Sequence, residues 1–242
     1  MMMAEENRKL FRRGFRDGIP IGLGYFSVAF TFGLEAVALG LPLWAPVLIS
    51  MTNVTSAGQF AGLSIIAAMG SIVELALAQL IINLRYALMS LSLSQKLDNT
   101  VRLRDRFLIA FVNTDEVFAV AAGRPGEVGR AYMFGLICAP YFGWSLGTLA
   151  GAVIGDFLPA ELASALGIAI YGMFLAIIIP PAKQDKAIVL AIAIAVALSC
   201  LFNWLPALSG IGSGFVIIIC TLVAAGIAAF CFPLKGVADD AE

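Results

Sequence analysis

Arg85 stands inside a long apolar stretch, residues 71–94, in the run Asn83-Leu84-Arg85-Tyr86. On insertion scales a cation at a membrane helix centre costs roughly 2.5–3.5 kcal/mol. Such a residue is kept where it faces a water-filled cavity, a partner group or a substrate. Two further polar stretches fall in apolar surroundings. The first is residues 52–59, where Thr52, Asn53, Thr55, Ser56 and Gln59 bring hydroxyls and amides and Gly58 weakens the helix. An unwound segment at membrane depth leaves amide N–H groups at a half-helix N-terminus, which suit a carboxylate, and freed carbonyls that suit an ammonium. Small polar residues also serve as glue between membrane helices, and that alternative stays open. The second stretch is Asn113-Thr114-Asp115-Glu116. Adjacent positions on a helix point about 100° apart, so the two acids do not share one partner. One acid pairs with Arg85, and the other is free to carry a proton. The competing reading makes this stretch an interfacial loop with both acids wet. Asn83 flanks Arg85 as a supporting ligand, and Tyr141 lies deep enough to line a pocket. Glu35 and Glu74 lie near segment ends, where a side chain snorkels to the interface; Glu35 is the lesser candidate for proton coupling.

These residues need a membrane scaffold. Of the 242 residues, 61% are hydrophobic and 13% charged, where a soluble domain has about 25% charged. Several segments reach the ~20 apolar residues that span a bilayer. The apolar segments run over about 18–40, 43–70, 71–94, 107–122, 131–155, 161–181, 187–205 and 211–233. The fold class is therefore an all-α polytopic membrane protein. A basic tail, 1–17, precedes a single transmembrane domain, 18–233, and a short tail, 234–242, follows. The first apolar run is too long for a signal-peptide core and is read as retained.

Lys and Arg cluster before the first segment, around 96–106, at 124 and 130, and near 185; the connections near 41, 157 and 207 have none. Positive-inside bias puts all these groups in the cytoplasm if 43–70 and 107–122 each dip in and return. That arrangement has six full spans and two broken or re-entrant segments. The alternative has eight spans, and both put the N- and C-termini in the cytoplasm. Irregular backbone at this depth must be buried in protein or line a cavity.

Glycines repeat every fourth residue at Gly143, Gly147, Gly151 and Gly155, and at Gly14, Gly18 and Gly22. Such faces let helix backbones approach closely, within the chain or against a partner subunit. Most aromatics, Tyr25, Trp44, Trp144 and Trp204 among them, fall near predicted segment ends, as in an interface belt. The chain has no histidine, and its four cysteines sit apart in apolar segments without a CxxC pair. This sequence offers no His-based catalysis, no His-ligated metal and no P-loop. No enzyme activity, cofactor, metal or nucleic-acid partner is expected.

Taken in order, Gly14-Phe15-Arg16-Asp17-Gly18-Ile19-Pro20 with Gly24-Tyr25, Ser56-Ala57-Gly58-Gln59-Phe60, Asn83-Leu84-Arg85-Tyr86 and Thr114-Asp115-Glu116-Val117-Phe118 resemble the AzlC-type branched-chain amino-acid exporters. The likeness covers about residues 10–235. That family commonly carries His after the Arg, where this chain has Tyr86. The resemblance implies a secondary transporter in the cytoplasmic (inner) membrane, exporting leucine, isoleucine or valine. It also implies a small AzlD-type membrane subunit, for which the glycine faces offer a docking place. On the residues alone, the substrate carboxylate meets Arg85 or the amides near Gly58-Gln59, and its ammonium meets Asp115, Glu116 or unwound carbonyls. The rival readings are a non-transporting subunit, in which Arg85 and Asp115 form a structural pair, and a passive channel for another small solute.

Overall fold

The computed structural model describes residues 2–155, 175, 178–208 and 210–233. These residues fall into two compact units, one drawn from Met1–Phe60 and Ile82–Ile170, the other from Ala61–Ile81 and Tyr171–Glu242. In chain order the helices are α1 (Met2–Ala38), α2 (Trp44–Thr52), α3 (Ser56–Ala67), α4 (Ile72–Ser94), α5 (Leu103–Phe111), α6 (Asp115–Gly123), α7 (Arg130–Gly155), α8 (Lys186–Trp204) and α9 (Ser213–Cys231). Among the described residues, α1, α4, α7, α8 and α9 are long and apolar enough to cross a membrane. At 1.5 Å per residue the 19 residues of α8 reach about 28 Å, close to the ~30 Å hydrocarbon core. The chain is thus an all-helical polytopic membrane protein. The expected segment 161–181 lies almost wholly outside the described residues.

The segments at 43–70 and 107–122 are both broken. α2, α5 and α6 have 9 residues each and α3 has 12, so each spans about half a bilayer. The interruptions have the same three residue types, Asn53-Val54-Thr55 and Val112-Asn113-Thr114. Asn and Thr compete with the helix through their own side chains, and Val and Thr lose χ1 freedom in it. Asn53 is extended (φ −151°, ψ 106°), as is Thr114 (φ −82°, ψ 173°).

At both breaks the chain folds back. Ser50, near the end of α2, receives a hydrogen bond from Gln59 Nε2 of α3 at 2.9 Å. Nine residues of straight helix would hold them about 13 Å apart. One residue on, Phe60 meets Phe32 edge-to-face on α1 (5.5 Å), while Met51 lies with its carbonyl under the Tyr141 hydroxyl (3.2 Å). The second pair, α5 and α6, has both feet at the C-terminal end of α4. Arg106 Nη1 donates to the Ser94 carbonyl (3.4 Å), and Lys96 Nζ donates to the Ala122 carbonyl (2.6 Å). Its tip reaches back along α4, where Asn113 Nδ2 donates to Ser90 Oγ (3.1 Å).

The organising contact of the first unit is α1 against α7, packed in parallel. A Cβ at Gly18, Gly143, Gly147 or Gly151 would collide with the carbonyl of Leu136, Gly22, Phe26 or Phe30 on the facing helix. At Gly22 it would lie 2.6 Å from the Ala139 carbonyl oxygen. Both glycine faces are spent on each other, so they do not provide the docking place for a partner that the sequence suggested. The same contact extends into the N-terminal residues. α1 begins at Met2, and Gly14, inside residues 1–17, already packs on Tyr132 and Leu136.

In the second unit Glu74 is buried rather than snorkelled, at 4% exposed. Its Oε1 accepts from the amides of Gly214 (2.6 Å) and Phe215 (3.3 Å). A carboxylate there satisfies two orphan donors in the first turn of α9 and complements its dipole. Gly214 is needed for the approach, since a Cβ would lie 2.5 Å from Glu74 Cγ.

The α1–α7 seam gives a first prediction. Gly151→Ala lowers thermal stability in detergent by about 1–3 kcal/mol, the usual cost of overpacking. Gly24→Ala, where nothing lies within 4 Å of the added Cβ, leaves stability unchanged or slightly raised. Equal melting temperatures for the two variants would remove the seam from this role.

Candidate functional site

The tips of the two helix pairs meet. Thr52, Asn53, Val54 and Thr55 from the first break line a cavity of about 180 Å³ with Ala110, Phe111 and Asn113 from the second. Asn83 and Tyr86 of α4 close the remaining wall. Thr55 Oγ1 donates to Asn83 Oδ1 at 2.8 Å and receives a long contact from the Tyr86 hydroxyl at 3.4 Å. The Tyr86 hydroxyl in turn receives Arg85 Nη2 at 3.3 Å, so a polar chain runs from Arg85 to the first break. Asn113 is 2% exposed, and its Oδ1 has no hydrogen-bond partner. An unpartnered buried acceptor in a cavity wall calls for a donor from whatever fills the cavity.

Arg85 is ion-paired. Its Nη1 lies 2.6 Å from Asp115 Oδ2, with the two side chains 47% and 45% exposed. Asp115 opens α6, where a carboxylate is favoured by the helix dipole. Glu116, the next residue, takes a different partner. The Tyr25 hydroxyl of α1 donates to Glu116 Oε2 and also lies 2.5 Å from Thr114 Oγ1. Adjacent acids thus point to separate partners, as the 100° helical step requires.

Of the sequence candidates, Arg85, Asn83, Thr55, Asp115 and Glu116 gather around the two breaks. Tyr141 holds the walls rather than lining the cavity: its hydroxyl donates to the Met51 carbonyl, and its ring leans on Phe111 (6.3 Å). Gln59 lies elsewhere, in a closed buried network. Trp144 Nε1 donates to Gln59 Oε1 (2.8 Å), Gln59 Nε2 to Ser50 Oγ, and Ser50 shares a 2.7 Å bond with Thr148 Oγ1. That network ties α2 and α3 to α7. Ser56 and Gly58, in the first turn of α3, do not line the cavity. Glu35 lies ten residues beyond Tyr25 on α1, about 15 Å along the axis, and stays outside this group. Gly143, Gly147, Gly151 and Gly155 serve the α1 seam.

Sequence reasoning missed Tyr25 and Trp144. Both were expected at an interface; both are buried and meet edge-to-face at 5.2 Å. The available signal was the spacing of small residues, which puts Tyr25 and Trp144 on the faces that α1 and α7 share. Exposed Trp44 and Trp204 do fit an interfacial position.

A family model described as "AzlC protein" matches residues 20–158, more than half of the chain. The chain belongs to the AzlC family. An uncharacterized membrane protein of Archaeoglobus fulgidus is 32% identical over 176 residues, covering 72% of this chain and 77% of the relative. The inner membrane protein YgaZ of Escherichia coli is 30% identical over 197 residues, covering 78% and 80%. A Helicobacter pylori membrane protein is 28% identical over 151 residues, covering 61% and 65%. No solved structure matches the chain. This AzlC family member is a multi-pass protein of the cytoplasmic membrane. The matched region contains both breaks, Arg85, Asp115 and Glu116.

The closed Gln59 network holds α2 and α3 on α7. Gln59→Leu leaves Trp144 Nε1 without its acceptor, which costs about 1–3 kcal/mol of stability. The folded fraction keeps its affinity for solute, measured by ligand-induced thermal shift. Lost affinity at unchanged stability would return Gln59 to the binding site.

Proposed function

We propose that this chain is the large subunit of a secondary transporter that exports hydrophobic amino acids. Its substrates are leucine, isoleucine and valine, and export is coupled to a proton. The observation that carries this reading is the cavity where two opposed helix breaks meet, lined by hydroxyls and amides and flanked by the Arg85–Asp115 pair. Broken helices whose ends converge on a buried polar cavity are the common architecture of transporter binding sites. An uncapped half-helix end and a guanidinium suit a carboxylate, while Asn113 Oδ1 and the carbonyls of the breaks suit an ammonium. Arg85 gives Nη1 to Asp115 and Nη2 to Tyr86, and the five donors of a guanidinium leave others for a carboxylate while the ion pair stays intact. The family resemblance supports the substrate class and a small AzlD-type subunit as partner.

Re-entrant geometry fits the charge distribution. The feet of α5 and α6, the start of α7 and the N-terminal turns of α1 carry most of the Lys and Arg residues and share one end of the first unit. Placing that end in the cytoplasm obeys the positive-inside rule, with α2 and α3 dipping from the opposite side. Both termini are then cytoplasmic, and residues 18–233 form the transport body.

A zwitterion has no net charge. A potential of 100 mV is worth roughly 2.3 kcal/mol per charge moved, so it does not drive this cargo alone. Uphill export therefore requires a coupled ion, and the acids at the second break are placed to carry a proton.

The test is leucine and isoleucine efflux from preloaded cells expressing the chain together with its small AzlD-type partner, with matched membrane levels. Wild type exports both, and Arg85→Ala loses at least ~10-fold in rate, the ~1.4 kcal/mol or more expected of a charge-assisted contact. Equal export by both proteins removes Arg85 from the site. No export of either amino acid by wild type overturns the substrate assignment.

A further inference from the structure

We infer that Glu116, and not Asp115, carries the coupled proton, and that Tyr25 is the positioning residue that keeps Glu116 hydrogen-bonded in both protonation states. The inference rests on the transport reading above and deepens it.

The two acids differ in what faces them. Asp115 is 2.6 Å from the Arg85 guanidinium, so a proton placed on it would cost an ion pair. Glu116 faces no cation directly. From α1 it meets the Tyr25 hydroxyl, and from its own helix it has Asp115 as neighbour. On α4, Arg85 is ion-paired with Asp115 and also donates to the Tyr86 hydroxyl. α7 contributes Trp144, which does not titrate and packs on the Tyr25 ring. A proton on Glu116 breaks no ion pair, and the hydroxyl beside it can either donate or accept.

The chemistry of the triad makes both states acceptable. Tyr25 has one O–H and lies between two oxygens, Glu116 Oε2 and Thr114 Oγ1. With Glu116 ionised, Thr114 Oγ1–H donates to the Tyr25 oxygen and Tyr25 O–H donates to the carboxylate. With Glu116 protonated, its O–H donates to the Tyr25 oxygen and Tyr25 O–H turns to Thr114 Oγ1. One proton is gained or lost at Glu116, no bond between heavy atoms changes, and the chain of donors reverses. Thr114 is the N-cap residue of α6, yet its side chain makes no capping bond to that helix. Its hydroxyl is therefore available to this chain, and in the protonated state its own hydrogen is released toward the second break. The proton at Glu116 thus reports directly to the tip that lines the substrate cavity.

The test separates exchange from net transport. The purified full-length chain is reconstituted in liposomes with its small AzlD-type partner, and two rates are read: counterflow of labelled leucine against internal leucine at equal pH, and uphill leucine movement under an imposed pH gradient. Glu116→Gln keeps counterflow within about 3-fold of wild type and loses gradient-driven uphill movement at least 10-fold. Tyr25→Phe keeps counterflow and alters the pH profile of net movement, which a packing role for the ring would leave in place. Asp115→Asn keeps a pH-gradient response in whatever transport it retains. Glu116→Gln with undiminished uphill movement overturns the assignment, as does Asp115→Asn with counterflow intact and the gradient response gone. Loss of both rates in Glu116→Gln, in protein whose melting temperature matches wild type, overturns it too. A wild type that moves no leucine in either assay overturns the exporter reading itself, and this assignment with it.

Discussion

The close approach of α1 and α7 is the contact on which the first unit depends. Lipid provides no hydrophobic drive between two apolar helices, so association rests on van der Waals fit and on hydrogen bonds. Removing side chains along both faces lets the backbones touch over most of their length. That approach brings Tyr25 and Trp144 into the same buried layer. From there each ring reaches one of the two breaks: Trp144 holds Gln59 behind the first, and Tyr25 holds Thr114 and Glu116 at the second. The polar residues of the breaks are thereby fixed from a rigid support rather than from each other. A backbone left irregular at membrane depth must be satisfied within the protein: the Tyr141 hydroxyl donates to the Met51 carbonyl at the first break, and the amides of Val112, Asn113 and Thr114 bond to carbonyls just before them at the second.

Much of this was legible in the residues. The breaks were visible because Asn, Thr and Gly in apolar runs oppose both helix propensity and membrane insertion. Arg85 stood out for its insertion cost, and an acid of the second stretch was its natural partner. The glycine spacing announced close packing. What composition did not disclose was which faces meet. Gln59 and Thr55 look equivalent in sequence, but a turn of helix sends one to Trp144 and the other to Asn83. Glu74 looked like a snorkelling residue because a position near a segment end says nothing of a second helix starting beside it. Tyr25 and Trp144 were read by their distance from segment ends, and tertiary contact overrode that. In each case the deciding information was long-range, between residues 28 to 140 apart in the chain.

The two networks at the breaks also differ in kind. The Gln59 group is closed, each polar atom meeting another protein atom, and such a group rigidifies. The group at Asn113 is open, with one buried acceptor unserved. The first cluster has its donors and acceptors paired, and the second keeps an acceptor to offer.

The parallel seam has a consequence for how the chain is made. Its contacts join residues roughly 120 apart, such as Gly22 with Gly143, which at ~5–20 residues per second is about 6–24 s of synthesis. Through that interval α1 sits in the membrane with its glycine face unmatched, while both broken pairs and α4 emerge. The seam around which the unit is organised is thus among its last to close. A cell that makes this protein must keep a groove on α1 from finding the wrong helix first.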